Sequence, residues 1–161
     1  MTLRWIRWTL APMALAGALA CGGPVGPLAG GRLSGEVGPP RVADWSFAND
    51  HETAQVEVRP EDPYSVNTWC AAIGPRLYVP TSMILGPLNP TERQWVAGVE
   101  ANPELRIRIA GVVYERRAVK VEDEAEFAVA RAALEAKYEI APEDREPDRI
   151  IWIYRLDERS S

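Results

Sequence analysis

Histidine and cysteine are the scarcest chemistry-bearing residues in this chain of 161 residues. There is one histidine, His51, and there are two cysteines, Cys21 and Cys70. A single histidine leaves almost nothing from which to build a metal site or a Ser/His or Cys/His nucleophilic pair. Two cysteines give at most one disulfide, so no disulfide framework supports the fold. A hydrophobic core must therefore stabilise the chain.

Basic residues are outnumbered by acidic ones, 18 to 23, and the formal net charge is −5. The pairs Arg106 with Arg108 and Arg116 with Arg117 stand in strand-like alternation and are interpreted as solvated faces. An acidic chain without a basic patch argues against nucleic acid or an anionic lipid surface as a partner.

The N-terminus has a basic start, Arg4 and Arg7, followed by an apolar run over residues 10–20. This order is typical of a secretory signal. The run is shorter than the roughly 20 residues that a bilayer span needs, which argues against an uncleaved transmembrane helix.

The end of that run, Ala18-Leu19-Ala20-Cys21, resembles the lipobox of bacterial lipoprotein precursors. The resemblance implies removal of residues 1–20, lipid on Cys21 and anchoring in the bacterial cell envelope. Gly22 after the cysteine implies the outer membrane, at its periplasmic face. Cleavage removes two arginines and no acid, so the net charge moves from −5 to −7 over residues 21–161.

Residues 21–41 are rich in glycine and proline and carry few charges. Such a segment buries too little surface to offset its ordering entropy. It is predicted to be a flexible tether between the lipid and a single folded domain over residues 42–158.

Alternating apolar and polar residues predict an antiparallel sheet in that domain. Six strands are expected, at 53–59, 65–73, 77–79, 105–109, 112–121 and 149–156. The apolar parity changes at Arg116-Arg117, which predicts a bulge there. A sheet with few helices must close on itself to hide its edges.

Two helices are predicted between the strands. Thr91 with Gln94 matches a reciprocal cap for a short first helix. Asp123 with Glu126 caps a longer second one, in which apolar residues recur every three or four positions over 127–138.

Three segments together resemble a known superfamily. They are Leu77-Tyr78-Val79-Pro80-Thr81-Ser82, the run from Trp95 to Ala101-Asn102-Pro103, and the hairpin from Arg106 to Val121. In this order they are similar to the split β-barrel proteins, which include pyridoxamine 5′-phosphate oxidase-like and deazaflavin-dependent nitroreductase-like members. The resemblance implies an α+β, mainly β fold: a six-stranded antiparallel split β-barrel with two helices. It also implies a homodimer with shared sites.

The resemblance further implies that FMN, or a related flavin or deazaflavin, lies in a groove beside the barrel. Its phosphate is expected near the loop 81–90, where the start of the short helix supplies N–H groups and Arg93 supplies a guanidinium. The loop itself contains no lysine or arginine. The residues implied to contact the cofactor are Tyr78, Val79, Pro80, Thr81, Ser82, Arg93 and Trp95.

Two functions stay open at this point. The chain is either a membrane-tethered oxidoreductase that passes hydride between a flavin and a small electrophile, or a cofactor-free envelope module that binds a ligand or a protein. A tryptophan on the apolar side of a short helix, as Trp95 is, more often belongs to the core than stacks on a ligand, and Cys70 in a β-rich run is by default a small buried hydrophobe. No catalytic residue and no metal ligand is assigned.

Overall fold

The computed structural model describes residues 22–159. The predicted signal peptide over residues 1–20 and the predicted lipidation site, Cys21, lie outside the described residues. Within them, the chain forms an eight-stranded sheet and two α-helices. No helix of this described part combines the length and the apolarity needed to cross a membrane.

The strands are, in chain order, β1 (Glu36–Val37), β2 (Ala54–Val58), β3 (Tyr64–Thr68), β4 (Ala71–Ile73), β5 (Arg76–Pro80), β6 (Glu104–Ile109), β7 (Val112–Lys120) and β8 (Ile153–Glu158). The expected mainly β, α+β architecture is confirmed. There are eight strands rather than six, because the segment 65–73 divides at Trp69-Cys70 and because β1 is additional. The last strand begins at Ile153 rather than at residue 149.

Seven strands lie in the order β3-β2-β6-β7-β8-β5-β4, each antiparallel to its neighbours. Only Trp69 and Cys70 join β3 to β4, which stand at the two ends of this order. Because a link of two residues spans only roughly 10 Å, the edge strands β3 and β4 must lie close together, and the sheet is therefore rolled. In the described chain β3 and β4 form no ladder with each other, and the roll is therefore not closed by hydrogen bonds.

Two helices accompany the sheet, α1 (Gln94–Ala101) and α2 (Glu124–Lys137). The side chain of Asp123 caps α2 as predicted, by accepting a hydrogen bond from the Glu126 N–H at 2.7 Å. The predicted Thr91 cap of α1 is wrong. Thr91 lies inside a preceding 3-10 turn, and Arg93 occupies the N-cap position.

The N-terminal segment, residues 22–41, packs along the sheet, and we call it the N-terminal strap. Its β1 pairs in parallel with β7, and Gly30 forms a bridge with Ser65 of β3. Leu33 at its centre is only 1% exposed. This packing differs from the flexible tether that the composition predicted, because one buried leucine and repeated backbone pairing offset the ordering entropy.

The strap covers a buried ion pair. The Arg106 Nη1 atom lies 3.0 Å from a carboxylate oxygen of Glu57 and also donates a hydrogen bond to the Leu33 carbonyl at 3.0 Å. The Leu33 N–H donates to the same carboxylate, which is 2% exposed. The prediction of a solvated face is therefore wrong for Arg106.

Arg116 is buried as well, on the inner side of β7. Its guanidinium lies 4.9 Å from the centre of the Trp45 ring and donates a hydrogen bond to the Pro40 carbonyl at 2.7 Å. The β6–β7 register runs without interruption through this position, so the predicted bulge is wrong. The apolar alternation along β7 is broken for two other reasons. Arg116 occupies a position that faces the core, and Val113, on the opposite face of the strand, is buried under the strap.

Candidate functional site

A groove lies beside the end of β3, between the loop 81–87 and the start of α1. It consists of two adjoining cavities of about 290 and 670 Å³. Their shared lining residues are Asn67, Thr68, Thr81, Leu85 and Arg93. Cavities of this size suit a small-molecule ligand.

The floor of the groove is set where β5 ends at Pro80. Thr81 leaves the strand but stays attached to the segment before β8, since its N–H donates to the Trp152 carbonyl at 2.9 Å and its hydroxyl accepts from the Trp152 N–H at 3.0 Å. The hydroxyl keeps its own proton for a further acceptor. Thr81 is therefore placed to donate a hydrogen bond into the groove.

Arg149 holds the loop that forms one wall. Its side chain, 3% exposed, donates to the Ser82 hydroxyl at 2.8 Å and to the Pro87 carbonyl at 3.0 Å. The Ser82 hydroxyl in turn donates to the Leu85 carbonyl. Ser82 is thus a support for the loop, and its hydroxyl is already engaged by two partners.

The sequence reasoning missed Arg149. The only signal was an arginine placed between the acidic segment 143–148 and the apolar run 150–153. An arginine at such a boundary is a candidate for an ion pair with a nearby acidic residue. In the structure Arg149 pairs with Glu146 at 2.6 Å.

Arg93 lies at the groove with its charge uncompensated. Its Nη2 donates to the Leu85 carbonyl at 2.7 Å, and its Nε is buried without a hydrogen-bond partner. Among residues 22–159, no carboxylate lies within 4.0 Å of it. Burial, and then the charge of Arg149, lower the pKa of Arg93. A bound anion would relieve both effects.

The first turn of α1 adds donors at the same place. No side chain caps this end of α1, and the Ala97 N–H is bonded to the Arg93 carbonyl. The N–H groups of residues 94–96 precede that bond and belong to the set a helix leaves without partners at its start. With the guanidinium of Arg93, they form an arrangement that favours an anion.

The structure brings Pro80, Thr81, Ser82 and Arg93 together and separates Tyr78 and Val79 from them. The Tyr78 hydroxyl donates to Glu126 at 2.9 Å, because α2 covers that part of β5. Val79 points into the barrel core. Neither side chain lines the groove.

Trp95 lies at the edge of the larger cavity, but most of its ring belongs to the core. It is 4% exposed and packs edge-on against Tyr154, with 6.0 Å between ring centres. That burial leaves little ring surface for stacking on a ligand.

Trp69 is an aromatic residue of the groove that the sequence reasoning did not assign to it. It lines the smaller cavity, is partly exposed, and stacks on Tyr138 with ring centres 4.2 Å apart and planes 10° from parallel. The Tyr138 hydroxyl is fixed by the Cys70 N–H at 3.0 Å and by the Glu52 carbonyl at 2.9 Å. Trp69 is thus a rigid wall with an aromatic backing.

Comparison with known proteins places this geometry in context. No protein-family model matches the chain, and no curated protein matches it. Solved structures do match. A candidate pyridoxamine 5′-phosphate oxidase from Listeria innocua is 15% identical with a TM-score of 0.51, over 71% of this chain and 89% of that one.

Two further structures superpose slightly better. An F420-H2-dependent reductase is 16% identical with a TM-score of 0.54, over 66% of this chain and 95% of that one. A conserved hypothetical protein, Rv2991, from Mycobacterium tuberculosis is 16% identical with the same TM-score, over 78% of this chain and 86% of that one. At such identities the likeness concerns architecture, and the chain has the split β-barrel fold of these proteins.

Proposed function

We propose that this chain is an envelope lipoprotein whose split barrel binds FMN, or a related flavin or deazaflavin, and acts as an oxidoreductase on a small electrophile. The observation that carries the proposal is Arg93, a partly buried guanidinium at a helix start with no carboxylate within 4.0 Å in the described chain. The names of the similar structures, an oxidase of a pyridoxamine phosphate and a reductase dependent on F420-H2, support the same class of activity.

The residues present fit such a cofactor. Its phosphate would be held by Arg93, the first N–H groups of α1 and the Thr81 hydroxyl. A planar ring system would be held against Trp69, whose other face is covered by Tyr138. When bound, the flavin supplies hydride transfer. The chain supplies position, an anion site and a wall that excludes water from one side of the ring.

Anchoring through Cys21 belongs to the same proposal and is supported by the lipobox-like sequence. The outer membrane, at its periplasmic face, is the proposed location. The packing of the N-terminal strap adds one consequence, because an ordered strap leaves little slack between the lipid and the barrel. The barrel would then lie close to the bilayer surface rather than some tens of ångströms away.

A titration with FMN tests the proposal. The full chain, purified in detergent, is expected to quench FMN fluorescence and to keep a flavin absorbance band through gel filtration. Arg93→Ala should weaken binding by about 1.5–3 kcal/mol, or roughly 10- to 150-fold, the usual range for a hydrogen bond to a charged group. Arg131→Ala, an arginine on α2 that is paired with Glu135, is the matched control and should leave binding unchanged.

Activity is tested separately. Dithionite-reduced flavin on the chain should be reoxidised anaerobically by a nitroaromatic probe faster than the same flavin in solution. Absence of FMN binding by the unmodified chain, or equal binding by Arg93→Ala, would refute the cofactor site.

The second candidate is a cofactor-free ligand-binding or protein-interaction module in the envelope. One observation favours it: the Ser82 hydroxyl, which lines the groove, already accepts from Arg149 and donates to the Leu85 carbonyl, so one of the groove's polar groups is occupied. A colourless protein that leaves FMN fluorescence unquenched is the result expected of this module.

A further inference from the structure

The exposed large apolar side chains are unevenly distributed over the described residues. There are seven, and two of them, Val37 on β1 and Val129 on α2, lie away from the groove. The other five line the larger cavity of the groove or are linked to its lining through chain neighbours and backbone hydrogen bonds, and they are Val25, Leu28, Leu85, Leu88 and Ile150. We call these five residues the apolar rim.

Backbone and cavity contacts tie the rim into one patch. Leu28 and Leu85 both line the larger cavity, one from the strap and one from the loop. Val25 and Leu28 exchange backbone hydrogen bonds of 3.1 and 3.0 Å, and the Ile150 N–H donates to the Leu88 carbonyl at 3.0 Å. Grouped apolar exposure of this kind marks an interaction surface.

The rim also adjoins the place where the described chain begins. Gly22, the residue after Cys21, is fixed to the barrel because its carbonyl accepts a hydrogen bond from the Gly31 N–H at 3.2 Å. Gly30 in turn is bridged to Ser65 of β3, next to the groove. Val25 follows Gly22 by three residues, so the two lie within roughly 10 Å of each other.

We propose that the apolar rim docks on the surface of the membrane that holds the lipid anchor, so that the groove opens at the bilayer interface. The inference rests on the proposed acylation of Cys21. An acyl anchor one residue before Gly22 brings the bilayer within reach of Val25 and Leu28. It also makes docking an intramolecular event, which lowers the affinity that the rim itself must supply.

The chemistry of the rim favours lipid over a protein partner. Its five exposed side chains are all aliphatic, whereas the residues that dominate protein interfaces are tryptophan, tyrosine and arginine. A net charge of −7 over residues 21–161 opposes an anionic lipid surface and selects a zwitterionic one.

A fluorescent probe placed at two positions tests the proposal. Leu85→Cys in the rim and Val129→Cys on α2 are matched, with exposures of 72% and 57%. Cys70 is fully buried and Cys21 is blocked by acylation, so an NBD label attaches to the introduced thiol. The full-length precursor is expressed in a lipidating bacterium, its acylation is verified by mass, and the protein is reconstituted in phosphatidylcholine vesicles with or without brominated acyl chains.

The probe at position 85 is expected to shift to shorter wavelength and to be quenched at least twofold by brominated lipid, while the probe at 129 keeps its aqueous emission. An acylated protein whose two probes respond alike, or whose rim probe stays aqueous, overturns membrane docking and points to a protein partner. A mass without acyl chains overturns the docking together with the anchor. The FMN titration is independent of both, so a failed cofactor site is distinguishable from a failed rim.

Discussion

Arg93 and Arg149 donate hydrogen bonds to the same acceptor, the Leu85 carbonyl, at 2.7 and 3.4 Å. The two guanidiniums thereby join the start of α1 to the segment before β8 through a single peptide group. The charge of Arg149 is compensated by Glu146, whereas Arg93 has no such partner in the described chain. Arg149 thus holds the loop, and the positive charge of Arg93 remains available to a ligand in the groove.

Replacing Arg149 should loosen that loop. Arg149→Ala removes donors from five loop acceptors, namely the Ser82 hydroxyl and the carbonyls of Ile84, Leu85, Gly86 and Pro87. Since some of these acceptors remain buried, we expect the free energy of unfolding to fall by about 2–3 kcal/mol. Urea denaturation measures the loss, and limited proteolysis should cut within 82–90.

Arg145→Ala is the control for that measurement. Arg145 lies in the same acidic segment and pairs with Glu135 at the surface, so its loss should cost less than about 1 kcal/mol. Equal losses for the two variants would show that Arg149 has no special role in the loop.

The strap gives a second prediction. Leu33 is almost wholly buried, so Leu33→Ala should lower the free energy of unfolding by about 2–5 kcal/mol, the range for a leucine truncated in a core. Chemical denaturation of the full chain in detergent measures the change. Val37→Ala, at an exposed position of the same strap, should cost no more than about 0.5 kcal/mol.

A flexible tether would give a different result. If residues 22–41 moved freely, Leu33→Ala would be as neutral as Val37→Ala, and the strap amides would exchange with deuterium at the rate of an unfolded peptide. Protection of the Gly30 and Gly38 amides, which donate to Ser65 and Val113, is the matching expectation from the structure.

Acid should weaken the contact between α2 and the sheet. The Arg155 guanidinium, with bonds of 2.8 and 2.9 Å to the Glu126 carboxylate, holds the pKa of that carboxyl below its ordinary value of 4.5. Because the folded-state pKa is lowered, the stabilisation is complete above the unfolded-state pKa and disappears as the pH falls through the folded-state value.

We therefore expect the unmodified chain to exceed Glu126→Gln in stability at pH 7, by about 1 kcal/mol because solvent still screens this partly buried pair. The difference should shrink steadily from about pH 5 downward. Urea midpoints measured between pH 7 and pH 3 test the sign, and a difference that grows in acid would contradict it.

The sequence predicted the elements whose signals are local. The alternation over 105–109, the cap at Asp123 and the break between the strands at 65–73 and 77–79 all depend on neighbours in sequence, and each is found in the structure. Long-range compensation was not predictable. In the sequence Arg116 resembles a surface arginine, because the residues that bury it, Trp45 and Pro40, lie some seventy positions earlier and contact it only in the fold.

The site divides in the same way. The helix start with Arg93 and Thr81 follows from the order of strand, loop and helix, which sequence patterns display. Trp69 reaches the groove through the roll of the sheet, and Arg149 reaches the loop beside it through the return of the chain before β8; no local pattern encodes either position. The strap was missed because glycine and proline suggest disorder, and its single buried leucine has no periodic partner.

The β6–β7 turn offers a stabilising substitution. Ala110 has a backbone φ of +52° and is followed by Gly111 at +82°, the combination that two-residue hairpins reserve for Asn-Gly. Alanine is strained there, whereas asparagine tolerates this region. Ala110→Asn should raise the free energy of unfolding by about 0.5–1 kcal/mol in urea denaturation.

The same change at the exposed helical position Ala132 should lower the free energy of unfolding by about 0.5 kcal/mol, because asparagine is a poorer helix former. Opposite signs from one substitution would confirm the left-handed turn, and a loss at both positions would refute it.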